Sequence, residues 1–193
     1  MDSQHYFYGC SRQYLDSISL SLFNEIQDVV LHLPKRLTQA ELNRDLFWLL
    51  ASKRWSYDTA PAECPDFPPA DLKVEGLSLG ELKKHNNRTL CVTSTTIESG
   101  WHSDFAKVFD GKLVQMEAQF GKVESMFKDF CGFKIGWYER RIALGIEIVI
   151  CEPGKYFSHR KTSVSGMAYF EIAKKTLPAI GLDCPIWLLG ITV

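Results

Sequence analysis

Three features that mark common classes of protein are missing from this sequence of 193 residues. No run approaches the roughly 18–20 apolar residues of a membrane span. The opening "MDSQHYFYGCSRQ" lacks the basic and apolar regions of a secretory signal. Charge of neither sign is in excess, with 22 Lys and Arg against 23 Asp and Glu, so overall charge neither demands nor excludes a nucleic-acid partner. These absences predict a cytoplasmic protein with no membrane partner.

Cysteine is present but carries no metal or disulfide signature. The six cysteines include no CxxC pair and no zinc-like spacing. Several lie in apolar runs such as "GIEIVIC", where a free cysteine packs as a small hydrophobe. We therefore expect reduced thiols, as is usual inside the cell.

Helices are predicted from apolar periodicity in four segments. The 3.6-residue spacing indicates helices over 17–34, 38–55, 123–141 and 167–180. Pro34 ends the first of them. Thr38 and Glu41 form a T-x-x-E capping box at the start of the second.

Strands are predicted in the second half of the chain. Residues 89–97 are rich in β-branched side chains, and Asp110-Gly111 is a strong turn signal between two extended segments. Residues 142–151 and 184–193 form further apolar strands, whereas the proline-rich segment 58–71 is a loop and 78–87 is at most a short helix. This order predicts a single α/β domain over residues 1–193, with a central mixed β-sheet flanked by α-helices.

The segment "LVQMEAQFG" combines an apolar face with a polar one. Alternation along a strand separates Val114, Met116, Ala118 and Phe120 from Gln115, Glu117 and Gln119. Asp104 lies 13 residues before Glu117, on the first arm of the predicted hairpin. Two carboxylates close together raise each other's pKa unless a cation lies between them, and Mg²⁺ favours such oxygen ligands. The alternative is that Glu117 and Gln119 only line the solvated face of an edge strand.

Two further acidic residues are weaker candidates for this site. Asp110 is seven residues before Glu117 and rivals Asp104 as the first ligand, although Asp110-Gly111 is better suited to a turn. Glu25 lies on the first predicted helix, where the default expectation is a solvated position.

Ordered segments over most of the chain resemble type II restriction endonucleases of the BglII/BstYI group. The "DF" of Asp104-Phe105 and the later "MEAQFG" resemble the Asp-x(n)-Glu-x-Gln form of the PD-(D/E)xK nuclease motif, in which Gln replaces the usual Lys. Five other segments match in order: "LFNEIQDVV", "LNRDLFWLLASKRW", "GIEIVI", "SVSGMAYFE" and "PIWLLGITV". Residues 58–97 match poorly, and the interval from Asp104 to Glu117 is longer than in the closest relatives.

The resemblance implies a restriction-endonuclease-like fold and a role for individual residues. Asp104 and Glu117 match the metal-binding carboxylates, the main-chain carbonyl of Ala118 matches a further ligand, and Gln119 takes the position of the Lys. Gln119 cannot abstract a proton as a lysine of lowered pKa can, but it can orient the attacking water. The implied cofactor is Mg²⁺.

The resemblance also implies double-stranded DNA as substrate. Lys122 and one of Ser163 or Ser165 are expected to read base edges, with Arg160 and Lys161 holding the phosphate backbone; a solvated loop is the alternative. The implied enzyme is a homodimer that cuts both strands of a short palindrome, with a GATC centre in the relatives. A structure-specific repair or recombination nuclease and a catalytically silent DNA-binding protein are the two other functions to be distinguished.

Overall fold

The computed structural model of the protein describes residues 2–57, 103–158 and 164–192. In these ranges the chain has an α/β fold, with a mixed sheet between two layers of helices. Three predicted segments lie outside the described residues: the loop at 58–71, the short helix at 78–87 and the strand at 89–97.

The sheet is built from six strands of the described residues. They are β1 Asp2–Tyr8, β2 Ser56–Tyr57, β3 Phe105–Phe109, β4 Lys112–Ala118, β5 Leu144–Ile150 and β6 Ile186–Thr192. Their order across the sheet is β1-β6-β5-β4-β3-β2. The central strands β4, β5 and β6 are parallel, and the outer pairs are antiparallel. Parallel strands covered on both faces favour nearly continuous apolar sequence, which β6 supplies and β5 supplies except at Glu147.

Helices cover both faces of this sheet. They are α1 Arg12–Ile18, α2 Leu22–His32, α3 Gln39–Ser52, α4 Val123–Tyr138, α5 Pro153–Tyr156 and α6 Phe170–Ala179. The inner residues of α1, α2 and α3 share one hydrophobic core with one face of the sheet, and those of α4 and α6 share a second core with the other face. Among the described residues no helix has the length and apolar character needed to span a bilayer.

The prediction of one helix over 17–34 is wrong, because two helices occupy this region. Ser19 is extended (φ −162°, ψ 135°) and ends α1, and α2 begins at Leu22. Both helices bury their apolar side chains in the same core, so Ile18 and Leu22 keep a helical spacing across the break. The predicted end is confirmed, since Leu33 caps α2 directly before Pro34.

The first turn of α3 contains the predicted capping box. The Thr38 side chain accepts a hydrogen bond from the Glu41 amide at 3.2 Å, and the Glu41 carboxylate accepts one from the Thr38 amide at 3.2 Å. Both bonds use N–H groups that a helix start leaves without helical partners.

The predicted hairpin between β3 and β4 closes through Asp110-Gly111. Both residues have positive φ, 48° and 77°, as a two-residue hairpin turn of type I′ requires. Phe109 pairs with Lys112, and the register continues to Phe105 opposite Met116. Asp104, the next residue outward, is therefore brought beside Glu117.

Close packing fixes α4 over the centre of the sheet. A Cβ atom at Gly145 of β5 would lie only 2.6 Å from Cγ of Phe133, so glycine allows this approach. Asp129 lies one helical turn before Phe133, on the same buried side of α4. Because this contact fixes the distance between α4 and the sheet, it also fixes the distance of Asp129 from the sheet.

Candidate active site

The two faces of β4 enter different environments. Val114, Met116 and Ala118 belong to the core beneath α1, α2 and α3. Glu117 lies on the opposite face and is only 6% exposed. Because β4 lies between β3 and β5, the alternative of a solvated edge strand is wrong. The polar face of the strand is interior, so its carboxylate requires a specific explanation.

The carboxylates of Asp104 and Glu117 each accept a hydrogen bond from a main-chain amide across the hairpin. The Asp104 amide donates to Oε2 of Glu117 at 3.1 Å. Oδ2 of Asp104 accepts from the Ala118 amide at 3.1 Å. One oxygen of each carboxylate is thereby held at the carboxyl end of β4, and the two acidic groups are fixed side by side.

Negative charge accumulates around this pair. Burial raises the pKa of Glu117 well above its ordinary value, and the charges of Asp104 and Asp129 raise it further. The hydrogen bond from the Asp104 amide and the charge of Lys128 act in the opposite direction. A cation that reaches this buried carboxyl would favour its charged form and lower its pKa.

Gln119 is bound at both ends of its carboxamide. Nε2 donates to Oδ2 of Asp129 at 3.1 Å, and Oε1 accepts from the Gly121 amide at 2.9 Å. The main chain of Gln119 also donates to the carbonyl of Ile148 at 2.9 Å, which continues the pairing with β5. The side chain is half-buried directly beyond the end of β4.

Two acidic residues of this region were not predicted from the sequence. Asp129 is 7% exposed on the inner side of α4, and burial raises its pKa to about 7. Glu147 of β5 is fully buried and pairs in register with Glu117, so both side chains lie on the same face. The sequence signal for each of them is one acidic residue among positions that are otherwise apolar, on the buried side of α4 for Asp129 and in β5 for Glu147.

The donor set suits a divalent cation. Asp104 and Glu117 supply hard carboxylate oxygens, and both oxygens of buried Glu147 have no hydrogen-bond partner among the described residues. Within those residues no three His, Cys, Asp or Glu side chains converge on a ready metal cage. The two carboxylates that are held side by side, Asp104 and Glu117, are those that the resemblance implies as metal ligands.

The two weaker candidates lie away from this site. Asp110 occupies the hairpin turn at the other end of β3 and β4. Glu25 accepts hydrogen bonds from Lys107 Nζ at 2.8 and 3.0 Å and from Trp55 Nε1 at 2.6 Å. Lys107 pairs with Val114 and shares its face of the sheet, opposite to Glu117. The expectation of a solvated Glu25 is wrong, because its carboxylate joins α2 to β3 and to Trp55 in the segment after α3.

Two of the predicted DNA-contacting residues lie close together beside the acidic site. Lys122 forms an isolated bridge with Met167, and the Val123 amide donates to the carbonyl of Gly166 at 2.9 Å. Ser165 precedes that bridge, and both Lys122 and Ser165 are exposed. Arg160, Lys161 and Ser163 lie outside the described residues.

The fold has a counterpart among solved structures. The chain is similar to the crystal structure of restriction endonuclease BglII complexed with a DNA 16-mer, with a TM-score of 0.61 and 15% sequence identity. The match covers 100% of this chain and 79% of that chain. Such a likeness defines a restriction-endonuclease-like α/β fold. No curated protein matches the chain.

A family model identifies the chain more closely. The model described as restriction endonuclease BglII/BglIII matches residues 4–191, nearly the whole chain. The protein belongs to this family and is a type II restriction endonuclease. The resemblance inferred from the ordered sequence segments is therefore confirmed.

Proposed function

We propose that the protein hydrolyses both strands of a short palindromic site in double-stranded DNA, with Mg²⁺ as cofactor and Asp104, Glu117 and Gln119 as catalytic residues. The observation that carries this proposal is the fixing of both carboxylates at the end of β4, Glu117 by the Asp104 amide and Asp104 by the Ala118 amide, each at 3.1 Å. It explains why a strand buried on both faces contains a carboxylate.

The chain's own residues contribute position and charge to the reaction. Water attacks phosphorus in line and the 3′-oxygen leaves. Mg²⁺ held by Asp104, Glu117 and the carbonyl of Ala118 would stabilise the charge that develops on the phosphate. Gln119 has no basic atom, so its part is to orient the reacting groups rather than to accept a proton.

DNA is expected to cross the end of the sheet where β4 finishes. The family membership and the DNA in the similar crystal structure support double-stranded DNA as substrate. Lys122 and Ser165 are exposed beyond the end of β4, and Arg160, Lys161 and Ser163 come shortly before Ser165 in the sequence. A homodimer of this single domain would match a palindromic site by its two-fold symmetry.

The decisive experiment is digestion of a plasmid of known sequence, with and without Mg²⁺, followed by sequencing of the fragment ends. Discrete palindromic ends support the proposal, and sites with a GATC centre are the first to inspect. Nicking near junctions without a fixed sequence would instead indicate a structure-specific nuclease. Binding without cleavage under all divalent cations would indicate a silent DNA-binding protein.

Glu117→Ala tests the assignment of the site in the same assay. Loss of the carboxylate should lower the cleavage rate by about 10²-fold or more, because the cation loses a central ligand. Binding to the duplex should persist, since the basic contacts are intact. Glu124→Ala, which removes an exposed carboxylate from the first turn of α4, is the matched control and should cleave normally. Wild-type cleavage by Glu117→Ala would place the site elsewhere.

A further inference from the structure

The carboxamide of Gln119 cannot be inverted in this structure. A main-chain N–H can only donate a hydrogen bond, so the group 2.9 Å from the Gly121 amide must be the side-chain oxygen. The nitrogen therefore faces Oδ2 of Asp129 at 3.1 Å, where an acceptor is present. The two bonds together assign the oxygen and nitrogen of Gln119 by chemistry alone.

Both partners of Gln119 are built for this contact. Asp129 is an acidic residue on the buried side of α4, where its neighbours Met126, Phe130 and Phe133 are apolar. Burying a carboxyl among apolar side chains is unfavourable unless it gains a specific partner, and among the described residues Gln119 supplies it a 3.1 Å hydrogen bond. At Gly121 a Cβ atom would lie 2.9 Å from Oε1 of Gln119, so any larger residue would displace this side-chain oxygen.

We propose that Asp129 is a positioning residue that, with Gly121, holds Gln119 as a hydrogen-bond donor toward the scissile phosphate and the attacking water. This inference rests on the proposed function. Nε2 carries two hydrogens, of which Asp129 takes one. The second N–H is then the donor that Gln119 offers to the reaction, in the place where the usual PD-(D/E)xK motif has the ammonium group of a lysine.

This arrangement has a chemical consequence for hydrolysis. The proton of the attacking water passes to solvent and not to Gln119. The N–H of Gln119 donates to an oxygen of the scissile phosphate, whose negative charge increases as the 3′-oxygen departs. A fixed donor is useful in the transition state because it needs no reorganisation when charge develops. Asp129 touches neither DNA nor cation in this scheme, and acts only through Gln119.

The test compares Asp129→Ala with Asp129→Asn in the full chain, using a cognate duplex and Mg²⁺. Asp129→Ala should lower kcat about 10²-fold, the cost of a misplaced catalytic group, while KM stays near the wild-type value. Asp129→Asn should keep most of the activity, because its side-chain oxygen still accepts from Gln119. Gly121→Ala, a second route to the same displacement, should also lower kcat.

A double-mutant comparison separates positioning from stability. In the Gln119→Ala background, Asp129→Ala should cause no further loss of kcat. In ¹⁵N NMR spectra of the metal-free protein, the side-chain amide signals of Gln119 should shift in Asp129→Ala and return in Asp129→Asn. Glu124→Ala should change neither the rate nor these signals.

The outcomes distinguish this inference from the proposed function. A wild-type protein that cuts no DNA under any divalent cation overturns the proposed function and this role with it. If the wild type cuts but Asp129→Ala cuts equally well, only the positioning role is lost. Equal losses of kcat from Asp129→Ala with and without Gln119 would likewise overturn it, because Asp129 would then act through the fold.

Discussion

Glu147 is a buried acid beside the catalytic strand. It pairs in register with Glu117, is fully buried, and neither of its oxygens has a hydrogen-bond partner among the described residues. Burial raises the pKa of Glu147 well above its ordinary value, with further contributions from Asp129, Glu117 and Asp104. The folded protein therefore favours the protonated form of this residue.

Glu147→Gln should stabilise the metal-free protein, and more so at higher pH. The folded chain retains a proton on Glu147 that the unfolded chain releases above a pKa of about 4.3. Stability consequently falls as pH rises above that value, by up to about 1.4 kcal/mol per pH unit until the folded pKa is reached. Glutamine does not titrate, so the variant lacks this loss.

Chemical denaturation in EDTA at several pH values measures the effect. The free energies of unfolding of wild type and Glu147→Gln should diverge from about pH 5 upward. Glu124→Gln, an exposed acidic position on α4, should follow the wild type throughout. A constant difference between Glu147→Gln and wild type across this range would show that Glu147 does not titrate abnormally.

Site residues differed in how far the sequence could predict them. Asp104, Glu117 and Gln119 are predictable for two reasons. The two-residue turn fixes the register of the β3–β4 hairpin, and the three residues resemble a known motif. Asp129 and Glu147 join the same region from α4 and β5, through packing that no local spacing encodes. Their only sequence signal is an acid in an apolar pattern, and such an acid is interpretable only once its neighbours are known.

At the scale of elements, the β3–β4 hairpin separates two aspartates that are close in sequence. Asp104 lies at the end of the hairpin that carries Glu117, and Asp110 lies in the turn at the other end. The turn places Asp110 at φ 48°, a conformation that few residues adopt. The two residues should therefore respond differently to substitution.

Asp104→Ala should be folded and inactive, whereas Asp110→Ala should be active and less stable. An L-residue in the left-handed region costs about 1–2 kcal/mol, which aspartate partly offsets by local hydrogen bonding, so the free energy of unfolding of Asp110→Ala should fall by less than that amount. Asp110→Asn, which tolerates this conformation, should be as stable as the wild type. Thermal melts and plasmid cleavage on the same preparations report both properties. An inactive Asp110→Ala beside an active Asp104→Ala would transfer the metal-binding role to Asp110.

Most helices and strands were predictable, and the exceptions have physical causes. The break at Ser19 is invisible to periodicity, because α1 and α2 bury their apolar residues in one core with the spacing preserved. β1 was not predicted at all. Its sequence "DSQHYFY" has no clean alternation of polar and apolar residues, since half-buried His and Tyr lie on an edge strand held by pairing with β6.

For the whole molecule, the two ends of the sheet are chemically distinct. Lys122 and Ser165 stand with the acidic pair at the carboxyl end of β4, while Lys112 begins the same strand at the opposite end. Lys112 donates to the carbonyl of Ser17. If DNA crosses only the catalytic end, equal charge changes at the two ends should have unequal effects.

Lys122→Ala should weaken binding to the cognate duplex by about 1–3 kcal/mol, the range for losing a specific base contact. Lys112→Ala removes the same charge and should bind like the wild type. Titrations with Ca²⁺ in place of Mg²⁺, against cognate and scrambled duplexes at several salt concentrations, separate base contacts from general attraction. Equal weakening by both variants would mean that net charge, and not the catalytic end, governs binding.

The pairing of β1 with β6 ties together the most distant segments of the described chain. Asp2 lies opposite Thr192, and the ladder continues to Tyr8 opposite Ile186. A contact with so large a sequence separation closes late, because the chain entropy of a long loop must be overcome first. During synthesis the first strand must wait for the last one to leave the ribosome. The sheet formed by β1 to β6, and any nuclease activity that depends on it, is therefore acquired only after β6 has been translated.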